Sequence, residues 1–176
     1  MTPIARRARL SHRSAAQPAN TVVDVLFYAT VECVLGTLLV ARSAKGVCAV
    51  VLGDNTATVE RDLRARFPAA ALVANEAMVR NDLTKVSRLA ANPSETIDLA
   101  LDMRGTPLQR RVWEMVRAIP AGQTKSYLQV GRLKNPVYQQ VAARVVANAR
   151  AASPLALVVP CHRVVRSDGT LTRVPA

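Results

Sequence analysis

Apolar positions in the first hundred residues follow two rhythms. Residues 22–31 and 36–41 are β-branched and aliphatic runs, and a third run, 46–52, follows across the turn from Ser43 to Gly46. That order predicts a small antiparallel meander, closed by Asp54-Asn55. The rhythm then changes. Over 58–67, Val59, Leu63 and Phe67 recur at four-residue spacing, which is one stripe of a helix stopped by Pro68, and a further helix is expected over 75–91.

Beyond residue 103 the pattern is helical. Thr106 is placed as an N-cap and Pro107 as the first helical residue, and Leu108, Val112, Met115 and Ile119 share a face, so a helix runs to about Ala118. Ser126 starts a short helix through Leu133, Asn135-Pro136 breaks it, and a longer helix is expected from Val137 to Arg150. Short helix, break, longer helix is the outline of a helix-turn-helix, whose second helix is presented to DNA. On that helix Val137, Val141 and Val145 make an apolar stripe, while Ala143, Ala147 and Ala151 form a strip of methyl-sized residues beside Gln140 and Arg144. Such a strip suits a neighbouring helix as well as a nucleic-acid groove. The basic surroundings favour the groove.

The chain thus divides into a tail (1–20), a first part (21–102) and a second part (103–176). Its 176 residues and 50% hydrophobic content suit globular folding. Aromatics at 3% exclude a stacking platform for single strands, and no apolar run reaches membrane-spanning length. The tail carries Arg6, Arg7, Arg9 and Arg13 without an acid or a secretion-signal core, and reads as a basic disordered segment. Net charge is +12, and its placement is informative: residues 104–176 hold 12 basic side chains against Glu114 and Asp168 alone. An excess that one-sided favours a phosphate-facing surface.

Cys33, Cys48 and Cys161 are an odd count without a CxxC pair, and His12 and His162 are the two histidines. Neither a disulfide framework nor a metal cluster is indicated, and a reducing, cytoplasmic setting is expected. Cys33 and Cys48 sit in strand-like apolar company and read as core thiols. Cys161 is different. A strand-like run, 155–160, ends in Pro160-Cys161-His162-Arg163, with Arg166 nearby, and positive neighbours together with an imidazole favour the nucleophilic thiolate. Adjacent residues on a regular element point apart, so proton transfer from Cys161 to His162 needs a turn at Pro160 or a bridging water. On these residues alone, the pair also reads as a buried cysteine beside a surface histidine.

The segment 160–165 (PCHRVV) resembles the active-site motif of the O6-alkylguanine-DNA alkyltransferases, and 105–114 (GTPLQRRVWE), 119–127 (IPAGQTKSY) and 142–147 (AARVVA) resemble the same family in register. The first part, through 52–54 (LGD) and 66–70 (RFPAA), is similar to the corresponding half of the alkyltransferase portion of the bacterial adaptive-response protein. Resemblance covers about residues 24 to 171. It implies an α/β fold: a ribonuclease-H-like scaffold with a three-stranded antiparallel sheet, followed by a mainly helical, winged-helix-like domain with the helix-turn-helix. It also implies a single-turnover repair reaction in which Cys161 takes an alkyl group from O6 of guanine, or O4 of thymine, while His162 acts through water. Arg144 aligns with an arginine that enters from the minor groove and fills the gap left by a flipped nucleotide. Tyr127 aligns with a tyrosine that aids rotation and contacts the base, and Val164 with a residue lining the base pocket. Pro160, Arg163 and Ser153, which stands where the family usually has Asn, complete the expected binding set. The partner implied is duplex DNA with alkylated bases. No metal, diffusible cofactor, membrane or obligate protein partner is implied.

Family members continue past the equivalent of Asp168 with a segment that closes over the base and a helix whose Glu orients the histidine. Here 168–176 ends the chain, and neither Glu114 nor Asp168 matches that position. Three or four extra residues also separate Asn135-Pro136 from Arg144. The expectation is DNA affinity with slowed transfer. A non-catalytic or decayed damage-recognition protein is the alternative, and a Cys/His hydrolase is disfavoured because no oxyanion-donating motif accompanies the pair.

Overall fold

A computed structural model describes residues 24–132 and 142–171. The three expected strands are β1 (Val25–Cys33), β2 (Gly36–Ser43) and β3 (Gly46–Gly53), each paired antiparallel with the next. A fourth strand, β4 (Ala71–Ala74), adds parallel to β1 and gives the order β3-β2-β1-β4. Four residues without alternation carry no strand signal of their own; β4 exists because β1 offers it a free edge.

Both faces of this sheet are covered, which explains the nearly continuous apolar runs. On one face, α1 (Thr56–Arg66) packs Val59 and Leu63 against Leu26, Leu39, Ala41, Cys48 and Val51. On the other, α2 (Glu76–Ala91) brings Leu83 and Val86 to Leu38, Val40, Val47 and Val50. That second cluster continues into Val112, Trp113, Met115, Val116, Val146, Leu155 and Val164, so the two parts read from the sequence share one core. Asn55 and Asn75 cap α1 and α2 by accepting from the Thr58 and Met78 amides.

The later elements are α3 (Pro107–Arg117), a two-residue strand β5 (Lys125–Ser126), α4 (Tyr127–Gly131), α5 (Ala143–Ala151), a 3-10 turn (Cys161–Arg163) and β6 (Val164–Val165), which pairs parallel with β5. Thr106 caps α3 with Pro107 at its start, as the sequence indicates, and Gln109 closes the box by accepting from the Thr106 amide. Ser126 and Gln129 do the same for α4. No helix among the described residues is long and apolar enough to cross a membrane.

The second helix of the expected pair differs from its reading. Val137, Gln140, Val141 and the break at Asn135-Pro136 lie outside the described residues, but no helix passes through Ala142, whose backbone is extended at φ −60° and ψ 142°. Ala142 offers no side-chain cap, so nothing in the sequence marks that boundary and spacing alone ran through it. The buried face is Val146, Ala149 and Arg150, turned to α3 and α4 rather than the stripe through Val145.

Two hydrogen-bonded contacts along the outer edge of β3 place the second half of the chain. Val47 donates to Ala100 O at 2.8 Å and accepts from the Asp102 amide at 2.8 Å, and Val50 donates to Pro154 O at 2.8 Å and accepts from the Ala156 amide at 3.0 Å. Gly46 precedes the first contact at φ +145°, and a Cβ there would stand 2.4 Å from Ala100 O. Gly46→Ala is therefore expected to cost about 2–4 kcal/mol, from backbone strain plus a clash with main chain that cannot swing away. Urea unfolding of the variant checks this; a loss below about 1 kcal/mol would mean that the 100–102 segment yields freely.

Candidate active site and nucleic-acid interface

The segment that delivers Cys161 is not a strand. After its single bridge to Val50, Leu155 gives way to consecutive tight turns: Val158 donates to Ala156 O at 2.7 Å, Val159 to Leu155 O at 2.9 Å, and Cys161 to Val159 O at 2.7 Å. Leu157 adopts φ +65°, the left-handed region that a branched residue enters only when its surroundings impose it. The apolar run was legible as buried, but its pairing was decided by the Val50 contact, which leaves room for one residue. Pro160 is buried at φ −74° and ψ 69° and turns the chain into the 3-10 helix.

Cys161 is half-buried there, and its thiol donates to Arg150 O at 3.7 Å, in the last turn of α5. Burial pushes the thiol up to about 11, and the nearby Arg150 guanidinium opposes that rise. The carbonyl end of a helix also disfavours a thiolate. The resting group is a protonated thiol, contrary to the thiolate expected from Arg163 and Arg166. Arg163 does not face the sulfur: its guanidinium donates to Ile119 O at 2.7 Å and Pro93 O at 3.0 Å, tying the turn to the loops after α3 and α2. Arg166 is exposed.

His162 is exposed on the turn, and partial desolvation, followed by the charge of Arg163, holds its imidazole below the ordinary histidine range. It is neutral at pH 7 and can accept a proton. Successive side chains on a 3-10 turn diverge by a third of a revolution, and among the described residues no hydrogen bond joins Cys161 to His162. No carboxylate among the described residues pairs with His162. Glu114 pairs with Arg111 at 2.9 Å, and Asp168 accepts from Thr170.

Tyr127 stands at the first position of α4, brought beside the turn by the β5–β6 pairing of Lys125 with Val164. Val164 is wholly buried. Ser153 lies at the hinge after α5, where its hydroxyl accepts from the Leu155 amide at 3.4 Å. Arg144 is exposed in the first turn of α5, on the side that also carries exposed Asn148 and Ala151. The structure thus brings Cys161, His162, Tyr127 and Val164 together, sets Arg144 on an outward face of α5, and turns Arg163 to a structural task. It adds one residue that the sequence reading passed over. Arg150, 6% exposed, donates to Tyr127 Oη at 2.6 Å and to Val164 O at 3.3 Å, with Cζ 5.7 Å from the Tyr127 ring centre. Its signal was an arginine four residues after Val146, on the apolar face of the helix.

A turn that displays a thiol, beside two helices in a basic half and behind a sheet scaffold, defines a DNA-alkyltransferase type of architecture. Residues 107–175 match the family described as 6-O-methylguanine DNA methyltransferase, DNA binding domain. The chain is 43% identical over 145 residues to the bifunctional transcriptional activator/DNA repair enzyme Ada of Escherichia coli, covering 82% of this chain and 40% of that one. It is 45% identical over 75 residues to a methylated-DNA–protein-cysteine methyltransferase of Mycolicibacterium paratuberculosis, covering 43% of this chain and 44% of that protein. Its fold superposes on a crystal structure of the Mycobacterium tuberculosis O6-methylguanine methyltransferase with a TM-score of 0.64 and 28% identity, covering 84% of this chain and 83% of the other. A DNA complex of the same organism's protein gives 0.66 and 26%, with the same coverage. Over residues 107–175 the sequence, and over most of the chain the fold, are similar to the O6-alkylguanine-DNA alkyltransferases. It spans about 40% of the length of the Escherichia coli relative.

The raised thiol makes a checkable statement about the protein without DNA. Alkylation of Cys161 by iodoacetamide, followed by peptide mapping, is expected to accelerate about tenfold per pH unit between about pH 7 and 10, without a plateau. A plateau near neutrality would show a thiolate already formed.

Proposed function

We propose that the chain repairs alkylated duplex DNA by moving the alkyl group from O6 of guanine, or O4 of thymine, to Cys161 in one irreversible displacement. The observation that carries this reading is a cysteine at the head of a strained turn, followed by a neutral histidine, inside the stretch that matches the family's DNA-binding domain. The thiol proton leaves through water to His162. Sγ then forms its bond to the alkyl carbon as the carbon–O6 bond breaks, and the electron pair of that bond goes to the purine, which takes up a proton and is restored as guanine within the strand. Cys161 becomes a thioether, so each molecule turns over once. The damaged DNA carries the transferred group, so the reaction calls on no metal or diffusible cofactor.

A stacked base is out of reach of a half-buried thiol, and the nucleotide must rotate out at a cost of a few kcal/mol. Exposed Arg144 on α5 supports a role in filling the gap, since a planar guanidinium stacks where an ammonium cannot. The small side chains of Ala147 and Ala151 beside it suit close approach to a minor groove. Duplex DNA with alkylated bases is thus the partner, and an intracellular location follows from that substrate.

Incubation with a duplex carrying O6-[methyl-³H]methylguanine is expected to place label on Cys161 and to leave Cys33 and Cys48 unlabelled, with Cys161→Ser abolishing transfer. Label elsewhere, or binding without any transfer, would overturn the reading. Arg144→Ala is expected to weaken binding to lesion-containing duplex by about tenfold or more and binding to single strands far less. An equal loss on both, measured by fluorescence anisotropy, would make Arg144 an ordinary phosphate contact.

A further inference from the structure

We propose that Arg150 is a positioning residue for the transfer, holding the Tyr127 hydroxyl as a hydrogen-bond acceptor and setting a buried positive charge beside the Cys161 sulfur. The proposal rests on the alkyl-transfer reading and assigns a task to a residue outside the Cys161, His162 and Arg144 set.

Arg150 lies on the face of α5 that packs into the core, with Val146 and Ala149, where an apolar residue would satisfy the helix. Burying a guanidinium there costs several kcal/mol unless it is hydrogen-bonded. Its bonds run to the groups that frame the site: Tyr127 Oη on α4 at 2.6 Å and Val164 O on β6 at 3.3 Å, while the carbonyl of the same residue accepts from the Cys161 thiol at 3.7 Å. One residue therefore touches the acceptor sulfur, the tyrosine and the strand that follows the catalytic turn.

Two chemical consequences follow. An arginine cannot accept, so Tyr127 Oη turns a lone pair toward Arg150 and its own O–H is left to donate to another group. That proton is then available to the purine as the breaking carbon–oxygen bond pushes negative charge onto it. At the sulfur, loss of the proton removes the donation to Arg150 O and leaves a negative charge in a half-buried place. Among the described residues, the cations and titratable groups around it are Arg150 from α5, Tyr127 from α4, and His162 and Arg163 from its own turn. Arg163 is turned to the Ile119 and Pro93 carbonyls, so among these residues Arg150 is the cation that offsets the charge.

The test compares Arg150→Met, Arg150→Lys, Tyr127→Phe and the pair Arg150→Met with Tyr127→Phe in the full chain, with melting curves to establish the folded fraction. Two rates are read: iodoacetamide alkylation of Cys161 against pH, which needs no DNA, and single-turnover transfer from an O6-methylguanine duplex at saturating protein. Arg150→Met is expected to move the alkylation profile upward by about one pH unit and to slow transfer about tenfold or more, with duplex affinity changed less than about threefold. Arg150→Lys keeps the charge and is expected to restore the alkylation profile, while transfer remains slow because the shorter lysine does not bring its ammonium to the place of the single Nη1 that serves both Tyr127 and Val164. Tyr127→Phe is expected to slow transfer in the parent and to add little in the Arg150→Met background. An unchanged alkylation profile in Arg150→Met, or additive losses in the double variant, would overturn the proposal and leave Arg150 a structural residue. If Arg150→Met fails to fold, Arg150→Gln, which also removes the charge, takes its place alone and with Tyr127→Phe and is judged on the same criteria. A parent chain that alkylates with iodoacetamide but transfers nothing from DNA would defeat the repair reading instead, and the alkylation profiles would still judge the charge at Arg150.

Discussion

The free edge of β3 is the constraint on which the site depends. An edge strand turns alternate residues outward, so Val47 and Val50, three apart, would ordinarily face opposite ways. A bulge resolves this. Ala41 pairs with Ala49 and Arg42 with Val47, leaving Cys48 as the extra residue, and both valines then present their backbone groups to the same outer edge and their side chains to the same core. Val47 takes the segment that enters the catalytic half and Val50 the segment that leaves α5 for Cys161. The scaffold contains no chemistry of its own, yet it fixes where the reactive turn begins. From the other side, Trp113 Nε1 donates to Ala149 O at 2.7 Å in the buried interface of α3 and α5 and holds the end of α5 against the same core. Cys161 is suspended between these two anchors.

That suspension governs reactivity as well as position. A half-buried sulfur, pointed at the carbonyl end of a helix, keeps its proton, and under the proposed transfer a single-use acceptor would gain from this because an exposed thiolate would be consumed by any passing electrophile. Under the same proposal activation would depend on substrate, since a bound base would exclude water and strengthen the field of Arg150. The strain at Leu157 fits the same picture, since a tight turn between two anchors presents the sulfur in one direction only.

Charge in the basic half is unevenly employed. Arg104 pairs with Asp24 and Asp102, Arg111 with Glu114, Arg163 serves two carbonyls, and Arg150 is buried among the groups of the site. These arginines tie segments together. Among the described residues the exposed ones are Arg110, Arg117, Arg132, Arg144 and Arg166, so under the proposed DNA binding fewer of these arginines would be open to phosphate than the net charge of this half suggests.

Local chemistry settled much of this protein from the sequence. Runs bounded by turn residues located β1, β2 and β3, the Thr106-Pro107 cap located the start of α3, and the motif around Cys161 in register with its neighbours singled out the candidate nucleophile, because each of these signals lies within a few consecutive residues. What stayed hidden depended on partners distant in the chain. β4 forms because β1 has a free edge, the run before Cys161 becomes a series of turns because Val50 accepts one residue of it, and α5 begins after Ala142 without a capping side chain to announce it. Arg163 and Arg150 depart from the sequence reading for the same reason. Arg163, adjacent to the nucleophile in sequence, is drawn to carbonyls 44 and 70 residues away, whereas Arg150, 11 residues before Cys161, lies beside it. Sequence fixes which groups are present, but the direction in which a long charged side chain points is set by whichever buried acceptors the tertiary fold leaves open, and burial of those acceptors is a property of the whole chain.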